Sequence, residues 1–336
     1  MSNAMGRALL AWFDEHRRDL PWRRTRDPYA IWVSEIMLQQ TRVAAVLEHY
    51  ARWMQRFPTI AVLAEASEDE VLALWSGLGY YRRARMLHRA AQTVVAEHGG
   101  RMPDTALELR SLPGIGEYTS AAIASIAFGE SIPVVDGNVE RIVTRIFSLA
   151  PARGGTMPAV EKGDQAVLAR TIRDHARTLL SEERPGDANQ AMMELGATVC
   201  LPRAPLCLHC PLQRWCQTRG EHVVPKRKPP VARDIFYAFA TREGKQGQEV
   251  LLQQRAGDAS LMAGMWELPE IAAPAPQAEV LLQLRHAITV TNYTVRVLPS
   301  RQRSLKNRQA WIARDALSSL PLTGLARKVL RRLGTF

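Results

Sequence analysis

Two carboxyl groups stand where a protein would place acid–base groups of opposite character. Glu35 interrupts the apolar run Ile31-Trp32-Val33-Ser34-Glu35-Ile36-Met37-Leu38-Gln39-Gln40-Thr41. On a helix it faces Ile31 and Trp32 on one side and Leu38 and Gln39 on the other. A carboxyl so poorly solvated keeps its proton near neutral pH and can act as a general acid. The competing reading is a buried structural carboxyl paired with an arginine such as Arg18 or Arg23. Asp136, in Val134-Val135-Asp136-Gly137-Asn138-Val139, reads as the residue at a helix start, where N–H groups around Gly137 and Asn138 would bond its carboxylate.

Two further clusters carry chemistry of other kinds. In Leu112-Pro113-Gly114-Ile115-Gly116-Glu117-Tyr118, Gly114 and Gly116 permit a tight turn whose N–H groups can approach a phosphate. The helix expected from Glu117 adds its positive end. Alone, this motif reads more readily as an ordinary helix–helix turn than as a phosphate anchor. Cys200, Cys207, Cys210 and Cys216 are all the cysteines of the chain, spaced C-x6-C-x2-C-x5-C. Such clustering favours a metal site over a disulfide framework. Zinc accepts four thiolates, but its sites usually come as two close pairs, and only Cys207 and Cys210 form one.

The elements that must position these groups follow from periodicity. Residues 5–200 alternate helix-length apolar-periodic segments with short breaks such as Phe57-Pro58-Thr59 and His98-Gly99-Gly100, an all-helical pattern. The stretch from Arg219 to Pro230 has linker composition. Beyond it, Phe236–Ala240, the turn Gly244–Gly247 and Val250–Gln253 read as strand, turn, strand. Tyr293–Val297 alternates like another strand, and Leu325–Leu333 reads as a closing helix. The expected division is a helical domain over 5–219, with a hairpin at about 107–127 and a cysteine loop at 200–216, a linker over 220–232, and an α+β domain over 233–336. Met1-Ser2-Asn3-Ala4, ahead of Met5, reads as a cloning remnant outside the fold. His49 and His88 read as surface or packing residues, and Trp12, Trp53 and Trp75 as core.

The 336-residue chain carries a formal charge of +11. That excess suggests a polyanionic partner, since Lys and Arg gain affinity by displacing counterions from phosphates. Apolar stretches are broken by charge well short of the roughly 20 residues a bilayer span needs. A soluble, intracellular, cytoplasmic protein without a membrane partner is expected.

A helix-hairpin-helix anchor followed by an Asp at a helix start resembles the endonuclease III superfamily of DNA glycosylases. Pro21-Trp22-Arg23, Val33 to Thr41, Gly77-Leu78-Gly79-Tyr80-Tyr81 and Asp136-Gly137-Asn138, with the cysteine loop and a second domain, closely resemble the MutY type of adenine DNA glycosylase. The resemblance implies a [4Fe–4S] cluster on the four cysteines, bracing a basic loop with Arg203 and Arg214 against DNA. It implies a partner of double-stranded DNA bearing adenine opposite 8-oxoguanine or guanine, a monomer, and association with the nucleoid through DNA. It places catalysis on Glu35 and Asp136, supported by Tyr118 and Asn138. Contacts to DNA or base fall to Arg23, Leu38, Gln40, Thr41, Leu78, Tyr80, Gly114 and Gly116, with Gln40 and Tyr80 probing the space a flipped base vacates. Tyr118 holds the position where bifunctional members carry a catalytic lysine, so a Schiff base with the sugar is not expected.

The second domain resembles the Nudix-like module that MutY proteins use to sense 8-oxoguanine. Gly264 and Glu270 keep the opening of a Nudix box, but Ile271-Ala272-Ala273-Pro274 follows in place of its metal-binding acids, so pyrophosphate hydrolysis is not expected. The sensing loop is matched by His286-Ala287-Ile288-Thr289-Val290, which keeps a hydroxyl in Thr289 and lacks the aromatic and second histidine of the family. Two other readings stand beside this one. A bifunctional glycosylase–lyase is disfavoured by Tyr118 and the extra domain. A non-catalytic DNA-binding iron–sulfur protein leaves Glu35 and Asp136 without a use.

Overall fold

The structure is a computed structural model that describes residues 2–149, 162–220, 229–245, 247–259, 261–288 and 290–336. It divides into two compact units. The first comprises Met1–Tyr50, Thr59–Ala61 and Ala90–Lys226; the second comprises Ala51–Pro58, Val62–Arg89 and Arg227–Phe336.

The helices in chain order are α1 (Ser2–His16), α2 (Pro28–Leu38), α3 (Val43–Arg56), α4 (Ile60–Glu65), α5 (Glu68–Trp75), α6 (Arg82–His98), α7 (Ala106–Leu109), α8 (Glu117–Ala127), α9 (Gly137–Ile146), α10 (Lys162–Arg177), α11 (Pro185–Thr198) and α12 (Gly324–Arg332). Helix α1 begins at Ser2, so Ser2, Asn3 and Ala4, read as part of a cloning remnant, belong to a helix.

In the first unit, α1, α9, α10 and α11 bury Leu9, Phe13, Val143, Ile172, Met192 and Leu195 in a shared core. Helix α2 packs on α8. It starts cleanly because Asp27 accepts from Tyr29 N and Pro28 fills the first turn, where a missing N–H costs nothing. Every residue from Tyr29 to Met37 is buried, Glu35 included. A helix apolar all round belongs in an interior, and there a carboxyl is an anomaly that asks for a use.

Asn189 on α11 is 0% exposed and fastens the segment that leads to Asp136. Its amide donates to Ser125 Oγ and Ile132 O, and its carbonyl accepts from Val134 N. Three bonds from one buried side chain fix that backbone against α8 and α11.

In the second unit, Trp53 meets Phe57 and Trp75 edge-on within the helical segments, and both tryptophans are fully buried. Trp12, in the first unit, is only partly buried and packs against that unit's core. The strands are β1 (Val231–Phe239), β2 (Thr241–Gly244), β3 (Gly247–Gln254), β4 (Trp266–Glu267), β5 (Glu270–Ile271), β6 (Leu282–Ile288), β7 (Thr291–Pro299) and β8 (Gln309–Ala313). One sheet runs β5-β1-β7-β6, with β1 and β7 parallel. In the other, β3 pairs antiparallel with β2, β4 and β8. The hairpin read around Gly244–Gly247 is therefore β2–β3. The strand over Phe236–Ala240 does not pair with its sequence neighbour, because Ala240 breaks the run and β1 takes its partners from β5 and β7. Helix α12 closes the core of this unit with Leu325, Ala326, Val329 and Leu330.

Candidate active site

One cleft of about 530 Å³ in the first unit is lined by Arg23, Glu35, Leu38, Gln40, Thr41, Tyr118, Asp136 and Asn138, together with Arg18, Gln190, Met193 and Glu194. Five stretches of chain contribute, the first being the segment before α2, which brings Arg18 and Arg23. The α2 end brings Glu35 and Leu38, the α8 start brings Tyr118, the α9 start brings Asp136 and Asn138, and one face of α11 brings Gln190, Met193, Glu194 and Ala197. The spacing of these α11 positions, i, i+3, i+4 and i+7, is that of a single helical stripe.

Glu35 is 6% exposed. Burial drives its carboxyl upward; the hydrogen bond from Tyr118 opposes this, the Asp136 charge reinforces it and the Arg23 charge opposes it, leaving the carboxyl at about 7. Tyr118 Oη donates to Glu35 Oε2 at 2.7 Å and also touches Met193 Sδ at 3.3 Å. Burial and the neighbouring Glu35 hold the phenol far above its ordinary range, so it remains a donor.

Asp136 is the N-cap of α9. Its Oδ1 accepts from Asn138 N at 2.9 Å and Val139 N at 2.8 Å, and its Oδ2 accepts from Asn138 Nδ2 at 2.8 Å. All three bonds use the group as an acceptor, the pattern of an ionised carboxylate. Asn138 in turn accepts from Arg141 Nη2 at 2.9 Å, and Arg141 also donates to Gly196 O and Cys200 O. Gly196 is a glycine for a steric reason: a Cβ there would lie 2.5 Å from Asn138 Cβ.

Neither arginine of the competing reading bonds Glu35. Arg18 grips Glu194 with Nε at 2.6 Å and Nη2 at 2.7 Å, and Arg23 Nη2 reaches the same carboxylate at 2.9 Å. Glu194, Gln190 and Met193 were not among the residues singled out from sequence. The legible signal was Gln190-x2-Met193-Glu194-x2-Ala197, polar and apolar residues on one helical stripe.

The remaining expected residues fall as follows. Gln40, in the turn just after α2, has φ 57°, left-handed for a residue with a Cβ, a strain that persists only where surroundings enforce it. Gly114 has φ 77°, and Gly116 is the N-cap of α8, so the hairpin turn forms as read. Leu78 and Tyr80 belong to the second unit. There Leu78 is buried, while Tyr80 is 48% exposed with φ 49° and stacks against Arg83. Thr289 lies outside the described residues.

The four cysteines line a second cavity of the first unit, walled by apolar residues such as Ile142, Leu195 and Val199. Arg145, buried at the end of α9, donates to Cys200 Sγ at 3.3 Å and to Leu201 O at 2.7 Å. Its Nε is buried with no partner among the described residues. Four soft thiol donors around one apolar cavity, beside a buried cation, fit an anionic sulfur-ligated group. Among the described residues no three His, Cys, Asp or Glu side chains are set to hold a single metal ion. Arg214 stacks on Trp215 at 3.8 Å in the same loop.

Residues 33–162 match the family described as HhH-GPD superfamily base excision DNA repair protein. The adenine DNA glycosylase of Mycobacterium tuberculosis is 41% identical over 227 residues, covering 66% of this chain and 70% of that protein. The chain belongs to the adenine DNA glycosylase family. The human adenine DNA glycosylase is 39% identical over 320 residues, which cover 79% of this chain. The chain spans only 57% of that human protein's length. Among solved structures, a thermostable thymine-DNA glycosylase superposes with a TM-score of 0.55 at 29% identity, covering 64% of this chain and 95% of that one. The helical glycosylase fold is thus shared with that structure, and this chain also has a separate strand-rich C-terminal region. Among the described residues no helix is long and apolar enough to cross a membrane.

Proposed function

We propose that this member of the adenine DNA glycosylase family is a monofunctional N-glycosylase that releases adenine paired with 8-oxoguanine or guanine in duplex DNA and leaves an abasic site. One observation carries the reading: a buried carboxyl held at about 7 and a carboxylate fixed by three donors line one cleft.

An adenine stacked in duplex DNA cannot reach such a cleft, so the nucleotide must rotate out of the helix. Cleavage of the C1′–N9 bond sends its electron pair to the purine and leaves positive character on the sugar. Glu35 delivers a proton to adenine N7, which improves the leaving group. Tyr118 occupies Glu35 Oε2 and thereby orients the carboxyl. Asp136 faces the developing cation with a full negative charge, the second carboxyl role known from glycoside hydrolysis. Water then adds to C1′ and its proton returns to a carboxylate. No amine stands at position 118, so no Schiff base forms there and strand cleavage is weak.

Cys200, Cys207, Cys210 and Cys216 would hold a [4Fe–4S] cluster, which supplies one-electron redox capacity when bound. The chain's own contribution is to brace the loop that carries Arg203 and Arg214 for contact with DNA phosphates. The hairpin at Gly114 and Gly116 supplies a second phosphate anchor. The C-terminal domain serves as a Nudix-like reader of the opposite base. It supports no hydrolysis, because Glu270 lacks the acids that would complete a metal site. Thr289 is its sensing hydroxyl.

The test is single-turnover base release from duplexes with adenine opposite 8-oxoguanine, guanine and thymine. Release is expected from the first two, fastest opposite 8-oxoguanine. No abasic product from any of them would overturn the assignment, and equal rates opposite 8-oxoguanine and guanine would remove the sensing role of Thr289.

A further inference from the structure

The wall of the cleft holds an ion cluster that the mechanism above does not use. Glu194 is 1% exposed, yet it carries a carboxylate shared by two guanidiniums. Arg18 holds it in a two-point fork and also donates its backbone N at 3.3 Å. Arg23 adds a third side-chain donor, and is itself pinned by its bond to Arg18 O and by the face of Phe13. Burial pushes the Glu194 carboxyl up, but the bonds and charges of Arg18 and Arg23 prevail and bring it down to about 2. It is therefore ionised throughout the range in which Glu35 titrates.

We propose that Glu194 is a positioning residue of this cleft: its buried carboxylate fixes the Arg18 and Arg23 guanidiniums on the wall and screens Glu35 from their charge. The proposal rests on the assignment of Glu35 as the acid. A buried ion cluster is weak evidence for stability alone, because desolvation offsets much of the attraction. Its place in the cleft wall gives it a use.

The charged and titratable groups around Glu35 decide the sign. Arg23, from the turn before α2, favours the Glu35 carboxylate. Asp136, from the start of α9, disfavours it, and Tyr118, from α8, donates to it. Glu117 on α8 is engaged with Arg173, and Asp27 caps α2 at its far end. Arg18 and Glu194 complete the wall. With Glu194 in place the trio carries one net positive charge; without its anion the same two guanidiniums present two. Glu35 would then surrender its proton at lower pH.

The experiment is the pH profile of single-turnover adenine release by E194Q, paired with a 13C carboxyl NMR titration of Glu35 in the DNA-free protein. In E194Q the alkaline limb moves down by about one pH unit, so the rate falls about tenfold above the limb and less than twofold well below it. The Glu35 titration shifts with it. E194D, which keeps the charge, retains the wild-type limb, and E194Q/R23Q moves the limb back up. A uniform loss at every pH, with the Glu35 titration unmoved, overturns the proposal and leaves Glu194 as a structural residue. Should E194Q fail to fold, R23Q alone decides: an upward shift is expected, and an unchanged titration is contrary. Because the NMR titration needs no turnover, absence of adenine release in the wild type would refute the glycosylase reading without deciding this one.

Discussion

Tyr118 Oη lies 2.7 Å from Glu35 Oε2 and donates to it, so a phenol on α8 holds the buried carboxyl of α2 by one oxygen. A donor favours the charged form of a carboxyl, which makes this bond one of the forces that limit how far burial raises Glu35. Tyr118→Phe removes the donor and leaves the ring. Glu35 in that variant should hold its proton more tightly, and the alkaline limb of base release should move up by about one pH unit. A limb that stays in place or moves down would mean that Tyr118 does not bond the titrating group.

Glu35 also ties stability to pH. Its carboxyl is raised in the folded state from 4.5 to about 7. The associated stability is fully present below about pH 4.5 and is lost as pH rises through 7. Glu35→Gln cannot ionise, so it should lack this slope and be more stable than wild type at pH 8, by up to about 3 kcal/mol. Urea unfolding of both proteins at pH 5 and pH 8 measures the difference; parallel pH dependences would show Glu35 to be unperturbed.

Asn189 makes the clearest structural prediction. Replacing it with Ala strips the buried Val134 N–H of its acceptor and Ser125 Oγ of its donor. An unsatisfied buried group costs about 1–3 kcal/mol. The variant should lose at least that much in urea unfolding, and its base release should slow, because the segment it frees leads to Asp136.

Gly196→Ala tests the packing behind Asn138. The new Cβ would arrive 2.5 Å from Asn138 Cβ, so Asn138 must move, and Asp136 Oδ2 moves with the bond it accepts. A displacement near 1 Å can cost about a hundredfold in rate. Single-turnover release should fall by that order while duplex binding persists; a wild-type rate would show that Asn138 does not place Asp136.

Much of this site was legible because each group breaks a local pattern. Glu35 is a carboxyl in an apolar helix, Asp136 stands at a helix start, and the four cysteines share one short loop. Each signal lies within one stretch of chain. The Glu194 cluster was not legible, since Arg18 and Arg23 find their carboxylate about 170 residues away on α11. Nothing local distinguishes that carboxylate from Glu35, and both helices place their acid on a buried stripe. The β1 pairing was missed for a like reason. A strand beside a tight turn suggests a hairpin, whereas β1 gains more by lying parallel to β7, sixty residues on. The Gly196 constraint is also invisible in sequence, because only the folded state brings Asn138 against α11.

The cysteine cavity yields a spectroscopic expectation. The purified protein should absorb broadly in the visible as an iron–sulfur protein does, and Cys210→Ala should lose that absorption and destabilise the loop next to α9. A colourless, folded, zinc-loaded protein would refute the cluster.

The most direct measurement is single-turnover adenine release by Glu35→Gln and Asp136→Asn, with duplex affinity measured alongside. General acid catalysis contributes on the order of 10²–10⁴-fold, and loss of an electrostatic stabiliser costs on the order of 10²–10³-fold, so each variant should bind the duplex as wild type does and release adenine slower by the corresponding order. Wild-type rates in either variant would contradict the assignment of a proton donor at Glu35 and a charge stabiliser at Asp136.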